Sequence, residues 1–113
     1  MPLQKWSDTI ILGSLQDDPQ FSDDVNALFE MLEADGKFDV VLNFADATFL
    51  NSSNIAKLLK LRKIVIANQK RLLLCGINTH VWGVFLVTGL DKIFEFADDV
   101  TTGLTELQLT GDS

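Results

Sequence analysis

The sequence predicts a single α/β domain: a mostly parallel sheet of four or five strands, with about four helices in alternating βα order. Three observations predict it. Strand-like and helical periods alternate four times along the 113 residues. Val40-Val41-Leu42-Asn43-Phe44 and Leu72-Leu73-Leu74-Cys75-Gly76 are largely continuous apolar runs, the kind buried on both faces of a parallel sheet. A hydrophobic content of 47% in a chain this long suits one core and is short for two, so one domain is expected over 1–113, with its core over about 9–109.

Thr9-Ile10-Ile11-Leu12 is a short β-branched run that stops at Gly13; it reads as the first strand, with a polar loop from Gly13 to Gln20. From Phe21 the period changes. Phe21, Val25, Leu28, Phe29 and Leu32 recur at helical spacing, Asp23, Asp24, Glu30 and Glu33 fall mostly elsewhere, and Gly36 is a stop signal. After the Val40 strand a second helix is expected from about Ser53 to Asn68. At about 100° per residue, Lys57, Lys60 and Lys63 line one stripe of it. Ile55, Leu58, Leu59, Val65 and Ile66 line a broad opposite face, into which Arg62 points. Thr79 to Thr88 forms a short helix with Gly89 as its C-cap. Ile93-Phe94-Glu95-Phe96 supplies a last strand, and Asp98-Asp99 open a final helix whose apolar residues are Val100, Leu104 and Leu107. Thr110-Gly111-Asp112-Ser113 reads as a disposable tail.

Sixteen acidic residues against nine basic ones give a net charge of −7, which repels phosphate backbones and argues against a nucleic-acid partner. A lone Cys75 cannot close an internal disulfide, and no charged segment followed by an apolar stretch marks a secretory signal, so the cytoplasm is the expected location. Arg71, Asn78 and His80 interrupt the most apolar part well short of the roughly 18 apolar residues that a membrane span requires, so direct membrane insertion is not expected. No Gly-rich phosphate loop, H-E-x-x-H or G-x-S-x-G motif is present, and neither catalytic residues nor a cofactor is expected. His80 lacks a second histidine or cysteine at ligand spacing, which argues against a metal, and Cys75 reads as core packing rather than a nucleophile.

Phe49-Leu50-Asn51-Ser52-Ser53-Asn54-Ile55 places two hydroxyls where an apolar run ends and a helical pattern begins. The first N–H groups of a helix lack intrahelical partners, so Ser52 or Ser53 suits a capping role, and a phosphate there would meet aligned dipoles. From the residues alone, both readings stand. The segment resembles the signature of the STAS domain family, the bacterial anti-sigma factor antagonists: hydrophobic-hydrophobic-Asp-Ser-Ser/Thr-Gly-hydrophobic. Asn51 and Asn54 here occupy the positions of the aspartate and the glycine. Gly13-Ser14-Leu15-Gln16 resembles the family's Gly-x-Leu-Asp turn, with Gln16 in place of aspartate. Leu42 to Phe49 resembles its strand and loop before the serine, and Gly89-Leu90-Asp91-Lys92-Ile93-Phe94 its closing motif. The likeness runs from about Ile10 to Leu109.

The resemblance implies a STAS-type fold and a protein that binds an anti-sigma factor which is also a serine kinase, releasing a sigma factor until phosphorylation ends the binding. A PP2C-type phosphatase is admitted as a further partner. By position Ser52 matches the phosphoacceptor, and Asn51, Ser52, Ser53, Asn54, Lys57 and Lys60 border the implied partner surface. A phosphate on Ser52 adds about −1.5 to −2 charges. Burying that dianion against a surface shaped for a hydroxyl costs about 2–5 kcal/mol, or roughly 30- to 4,000-fold in affinity. With Asn51, Asn54 and Gln16 in place of the usual residues, the serine is expected in a less acidic setting than is usual for the family.

Plainer readings stand beside these. Lys57, Lys60 and Lys63 form a solvated helix face or receive an acidic partner. Arg62 snorkels along the surface or anchors a contact. Trp82, Phe85 and Leu86 belong to the core, unless one is exposed as a binding anchor. Two further functions compete: an unphosphorylated STAS interaction subunit of a lipid-transport ABC complex or a signalling assembly, and a small-molecule or nucleotide-binding module using the same sheet.

Overall fold

The computed structural model describes residues 3–111. In chain order the elements are β1 (Leu3–Lys5), β2 (Ile10–Gln16), α1 (Gln20–Ala34), β3 (Asp39–Asp46), α2 (Ser52–Ala67), β4 (Leu72–Cys75) and α3 (Thr79–Thr88). A 3₁₀ turn (Leu90–Lys92), β5 (Glu95–Ala97) and α4 (Val100–Gly111) complete the chain. The five strands lie side by side in sequence order; β1 runs antiparallel to β2 and the other pairs are parallel. The expected mostly parallel sheet of an α/β fold is thus present.

Alternation sorts the strands' side chains into two cores. Ile11, Leu15, Val40, Leu42, Phe44, Leu72 and Leu74 face one way, against buried residues of α1, α2 and α3. Ile10, Val41, Leu73 and Cys75 face the other way, onto Leu104 and Leu107 of α4. A sheet covered on both faces explains why β3 and β4 read as nearly unbroken apolar runs. Arg71, just before β4, ties the second face together at one end, bonding Glu95 at 2.6 Å and Glu106 at 2.8 Å.

Several sequence expectations need correction. The first strand does not stop at Gly13. It continues to Gln16 because Gly13, Ser14 and Gln16 pair with Leu42, Asn43 and Asp46 of β3, and Leu15 is fully buried; on its other edge Gly13 pairs with Leu3 of β1, a strand the sequence reading missed. The buried stripe of α2 is Asn54, Leu58, Leu61 and Val65, spaced four, three and four apart. Leu59 and Ile66, expected in that stripe, lie on its flank at 38% and 49% exposure. The last strand starts at Glu95 instead of Ile93. Gly89, at φ 75° as the left-handed C-cap of α3, leads into the 3₁₀ turn, and Phe94 drops into the core against Phe85 before pairing begins. The helix α4 backbone runs through Thr110 and Gly111, so those two are not a loose tail; Asp112 and Ser113 lie outside the described residues.

Candidate functional site

Parallel strands deliver their following loops to one edge of the sheet, the edge where α/β folds place their sites. Here the loops after β2, β3 and β4 converge there, and hydrogen bonds lock them together. Asp17 reaches across to the loop after β3, accepting the Thr48 N–H at 2.8 Å, the Thr48 hydroxyl at 2.5 Å and, at 3.4 Å, the Phe49 N–H. Its carboxyl is held below the usual range, chiefly by the Thr48 hydroxyl. From the other side, Asn78 Nδ2 donates to the Ala47 carbonyl at 2.8 Å, while Asn78 Oδ1 accepts the Val81 N–H and so caps α3.

Asp18 grips the start of α2. One carboxylate oxygen accepts the Ser22 N–H at 3.0 Å and the Ser22 hydroxyl at 2.7 Å; the other accepts Asn51 Nδ2 at 3.1 Å and Asn54 Nδ2 at 3.0 Å. These donors lower its pKa to about 2, the Ser22 hydroxyl contributing most and Asn54 next. The two asparagines bond reciprocally. Asn51 Oδ1 accepts the Asn54 N–H at 2.8 Å, and Asn54 Oδ1 accepts the Asn51 N–H at 3.1 Å, a capping box built from two amides.

The helix cap is therefore Asn51, and the reading of Ser52 or Ser53 as the cap is corrected. Both serines occupy the first turn and both are exposed, Ser52 as the first helical residue. An amide at position 51 accepts from Asn54 and donates to Asp18 at once, which an ionised aspartate there could not do. Asp17 and Asp18, one and two residues after Gln16, bring two ionised carboxylates to the same loops.

The structure brings Asn51, Ser52 and Ser53 together on the surface, while Asn54 lies beneath them at 2% exposure. Lys57 donates to Asn26 Oδ1 of α1 at 3.1 Å, and the Lys60 ammonium stands 4.6 Å from the Phe29 ring centroid, so both lean over α1. Arg62 Nε donates to the Ile93 carbonyl at 3.2 Å, using its polar head while its stem follows the helix. Cys75 is buried and its thiol is pushed up to about 11 by desolvation, the opposite of what a nucleophile needs. Sequence reasoning missed Asp17, Asp18, Thr48 and Asn78. The available signal was the Asp17-Asp18-Pro19 run just after a strand, together with asparagine before α2 and α3.

Residues 20–103 match the family model of the STAS domain. The chain belongs to the STAS domain family. Its STAS fold superimposes on a point variant of RsbS from Moorella thermoacetica with a TM-score of 0.84 at 16% identity, covering 99% of this chain and 97% of that one. An anti-sigma-factor antagonist (STAS) domain protein from Planctomyces limnophilus gives 0.80 at 14% identity, covering 94% and 97%. The phosphorylated form of the Bacillus cell fate determinant SpoIIAA gives 0.70 at 17%, covering 93% and 96%. At such identities the likeness is one of fold. No curated protein sequence matches the chain significantly. No helix among the described residues is long and apolar enough to cross a membrane.

Proposed function

We propose that this STAS domain is a cytoplasmic anti-sigma factor antagonist that docks on an anti-sigma factor acting as a serine kinase, with Ser52 as the control position. The observation that carries the reading is Ser52 itself, exposed at the first turn of α2 and relieved of capping by Asn51. In this reading the ATP site is the partner's, and this chain is ligand and substrate. Asn51, Ser52 and Ser53 supply the contact, Lys57 and Lys60 border it, and Asn54 supports it from beneath. Phe49, 46% exposed three residues before Ser52, adds an apolar anchor. Solved structures of the same fold, one described as an anti-sigma-factor antagonist and one as a cell fate determinant in its phosphorylated form, support the assignment. A PP2C-type phosphatase completes the cycle.

A phosphate on Ser52 would not unfold α2, because free N–H groups and the helix dipole stabilise an anion there. Its effect falls on the interface. Asn51 and Asn54, amides where the family signature has aspartate and glycine, are taken up by the cap and by Asp18. That departure favours a second reading: a constitutive, unphosphorylated interaction subunit of a lipid-transport ABC complex or a signalling assembly.

Titration of Ser52→Asp against the kinase that co-purifies with tagged protein tests the switch. Binding weakened by about 30-fold or more is expected, with Ser53→Ala binding like the wild type. Equal binding by wild type and Ser52→Asp removes the switch. Recovery of a transporter ATPase and no kinase, with Ser52 unmodified by mass spectrometry, favours the constitutive subunit.

A further inference from the structure

At the edge of the sheet opposite the Ser52 turn, where β4 and β5 begin, a hollow of about 90 Å³ opens between α2 and the approach to β5. Three of the chain's nine basic residues, Arg62, Lys70 and Arg71, line it, with one of its sixteen acidic residues, Glu95. Glu95 is taken up by Arg71, which donates to it from Nε at 3.3 Å and from Nη2 at 2.6 Å. Arg62 spends Nε on the Ile93 carbonyl at 3.2 Å, and among the described residues neither its guanidinium nor the Lys70 ammonium forms an ion pair. In a chain with an excess of seven negative charges, two half-buried cations without an internal carboxylate at one hollow favour an anionic group from outside.

The end of α2 fixes where Lys70 stands. Gln69 is at φ 61°, in the left-handed region that glycine usually occupies after a helix. Its N–H donates to the Ile66 carbonyl at 2.9 Å, and the Lys70 N–H donates to the Val65 carbonyl at 3.0 Å. The second residue beyond such a turn commonly packs an apolar side chain onto the helix. Here it is a lysine, half-buried at the hollow. Ile66 and Ile93 line the same hollow at 49% and 42% exposure, together with the buried Leu72 and Phe94. Cations flanked by exposed isoleucines match a segment in which a carboxylate stands beside an apolar side chain.

We propose that this hollow is a second docking site, taking an acidic and apolar peptide segment of a partner protein, with a carboxylate side chain of the segment against Arg62 and Lys70 and a neighbouring aliphatic side chain on Ile66 and Ile93. Size selects one side chain over a free metabolite, because small-molecule sites hold about 300–1,000 Å³ and this hollow about 90 Å³. Charge selects a short acidic segment over an anionic membrane. A sheet of lipid headgroups faces the whole chain, whose net charge of −7 opposes that approach, whereas one or two carboxylates meet only the local cations. Occupancy here leaves the Ser52 turn open at the other edge, so that, on the reading of Ser52 above, one domain joins two proteins.

Amide NMR shifts of the full chain test this in titrations with the end-blocked peptide Glu-Leu-Glu-Ile-Asp-Leu, with its uncharged counterpart Gln-Leu-Gln-Ile-Asn-Leu, and with inorganic phosphate. The acidic peptide is expected to move the amides of Lys70, Arg71, Ile93 and Glu95, to leave those of Asn51 to Ser53 in place, and to bind at least about tenfold more tightly than the uncharged one. Lys70→Gln is expected to weaken that binding about tenfold and Lys70→Glu to abolish it, each with the melting temperature unchanged, because the Lys70 side chain makes no bond within the described fold. Arg62→Gln is expected to weaken it to a similar degree. An acidic peptide that moves no amide at this edge overturns the proposal, as do equal shifts with the uncharged peptide or with phosphate alone, binding that survives Lys70→Glu, and binding to phosphatidylserine vesicles that requires Lys70. Loss of this site with Ser52→Asp still weakening kinase binding strikes the second site alone.

Discussion

Helices α2 and α3 follow neighbouring parallel strands and open the same way, yet they are finished differently. Each begins with an asparagine, Asn51 or Asn78, whose Oδ1 accepts the N–H three residues on at 2.8 Å. In α2 the cap is one part of a polar assembly: Asn54 answers Asn51, and Asp18 holds both from an adjacent loop. In α3 the cap is tethered once, to the Ala47 carbonyl, and the helix beyond it is free of ionic side chains. The difference separates two kinds of surface. The turn that carries the exposed Ser52 is fixed by directional bonds, whereas the exposed apolar residues of α3 rest on a helix held by one cap and one tether.

Breaking the α2 assembly at its centre should have the largest effect. Asn54→Ala removes half of the box and leaves Asp18 and the Asn51 N–H each short of a partner, so a loss of about 2–3 kcal/mol is expected in urea unfolding. The matching change in α3, Asn78→Ala, removes one cap and one tether and should cost about 1–2 kcal/mol. A cost equal to that of Asn54→Ala would erase the contrast. Asp18→Asn keeps the shape and some of the bonds; after discounting for solvent exposure its cost at neutral pH should be about 1 kcal/mol.

The Asp18 contribution also has a pH signature. Its carboxyl is lowered from 3.8 to about 2 in the folded chain, so the folded state prefers the ionised form and the stabilisation is complete above 3.8. It is lost as the pH falls towards about 2. The gap in stability between wild type and Asp18→Asn should therefore narrow on acidification through that window, as followed by thermal unfolding at a series of pH values. Ser52→Ala should have the smallest effect, within about 0.5 kcal/mol of wild type, because Asn51 does the capping. A loss of about 1 kcal/mol or more would return Ser52 to the capping role.

Much of the architecture was legible because it follows from periodicity. The buried positions of α1, the boundaries of α3 and its glycine cap, and the apolar stripe of α4 all obey patterns set within a few residues of sequence. Elements that depend on distant neighbours were not legible. Strand β1, three residues long among the described residues, exists by pairing with β2, and Gly13 reads as a breaker until Leu42 of β3 and Leu3 of β1 pair with it from either side. The serine position was visible at once, but its surroundings were not. Asp17 bonds residues 31 and 32 positions away, and Asp18 bonds residues 33 and 36 away, separations that no local pattern encodes.

The sheet ends in short strands on both sides: Leu3–Lys5 at one margin and Glu95–Ala97 at the other, three residues each. So little unpaired ladder gives an incoming chain almost nothing to extend, which guards against fibril growth by strand addition. Among the described residues the larger exposed surfaces belong to helices and loops, where single substitutions can retune the choice of companion without rebuilding the scaffold.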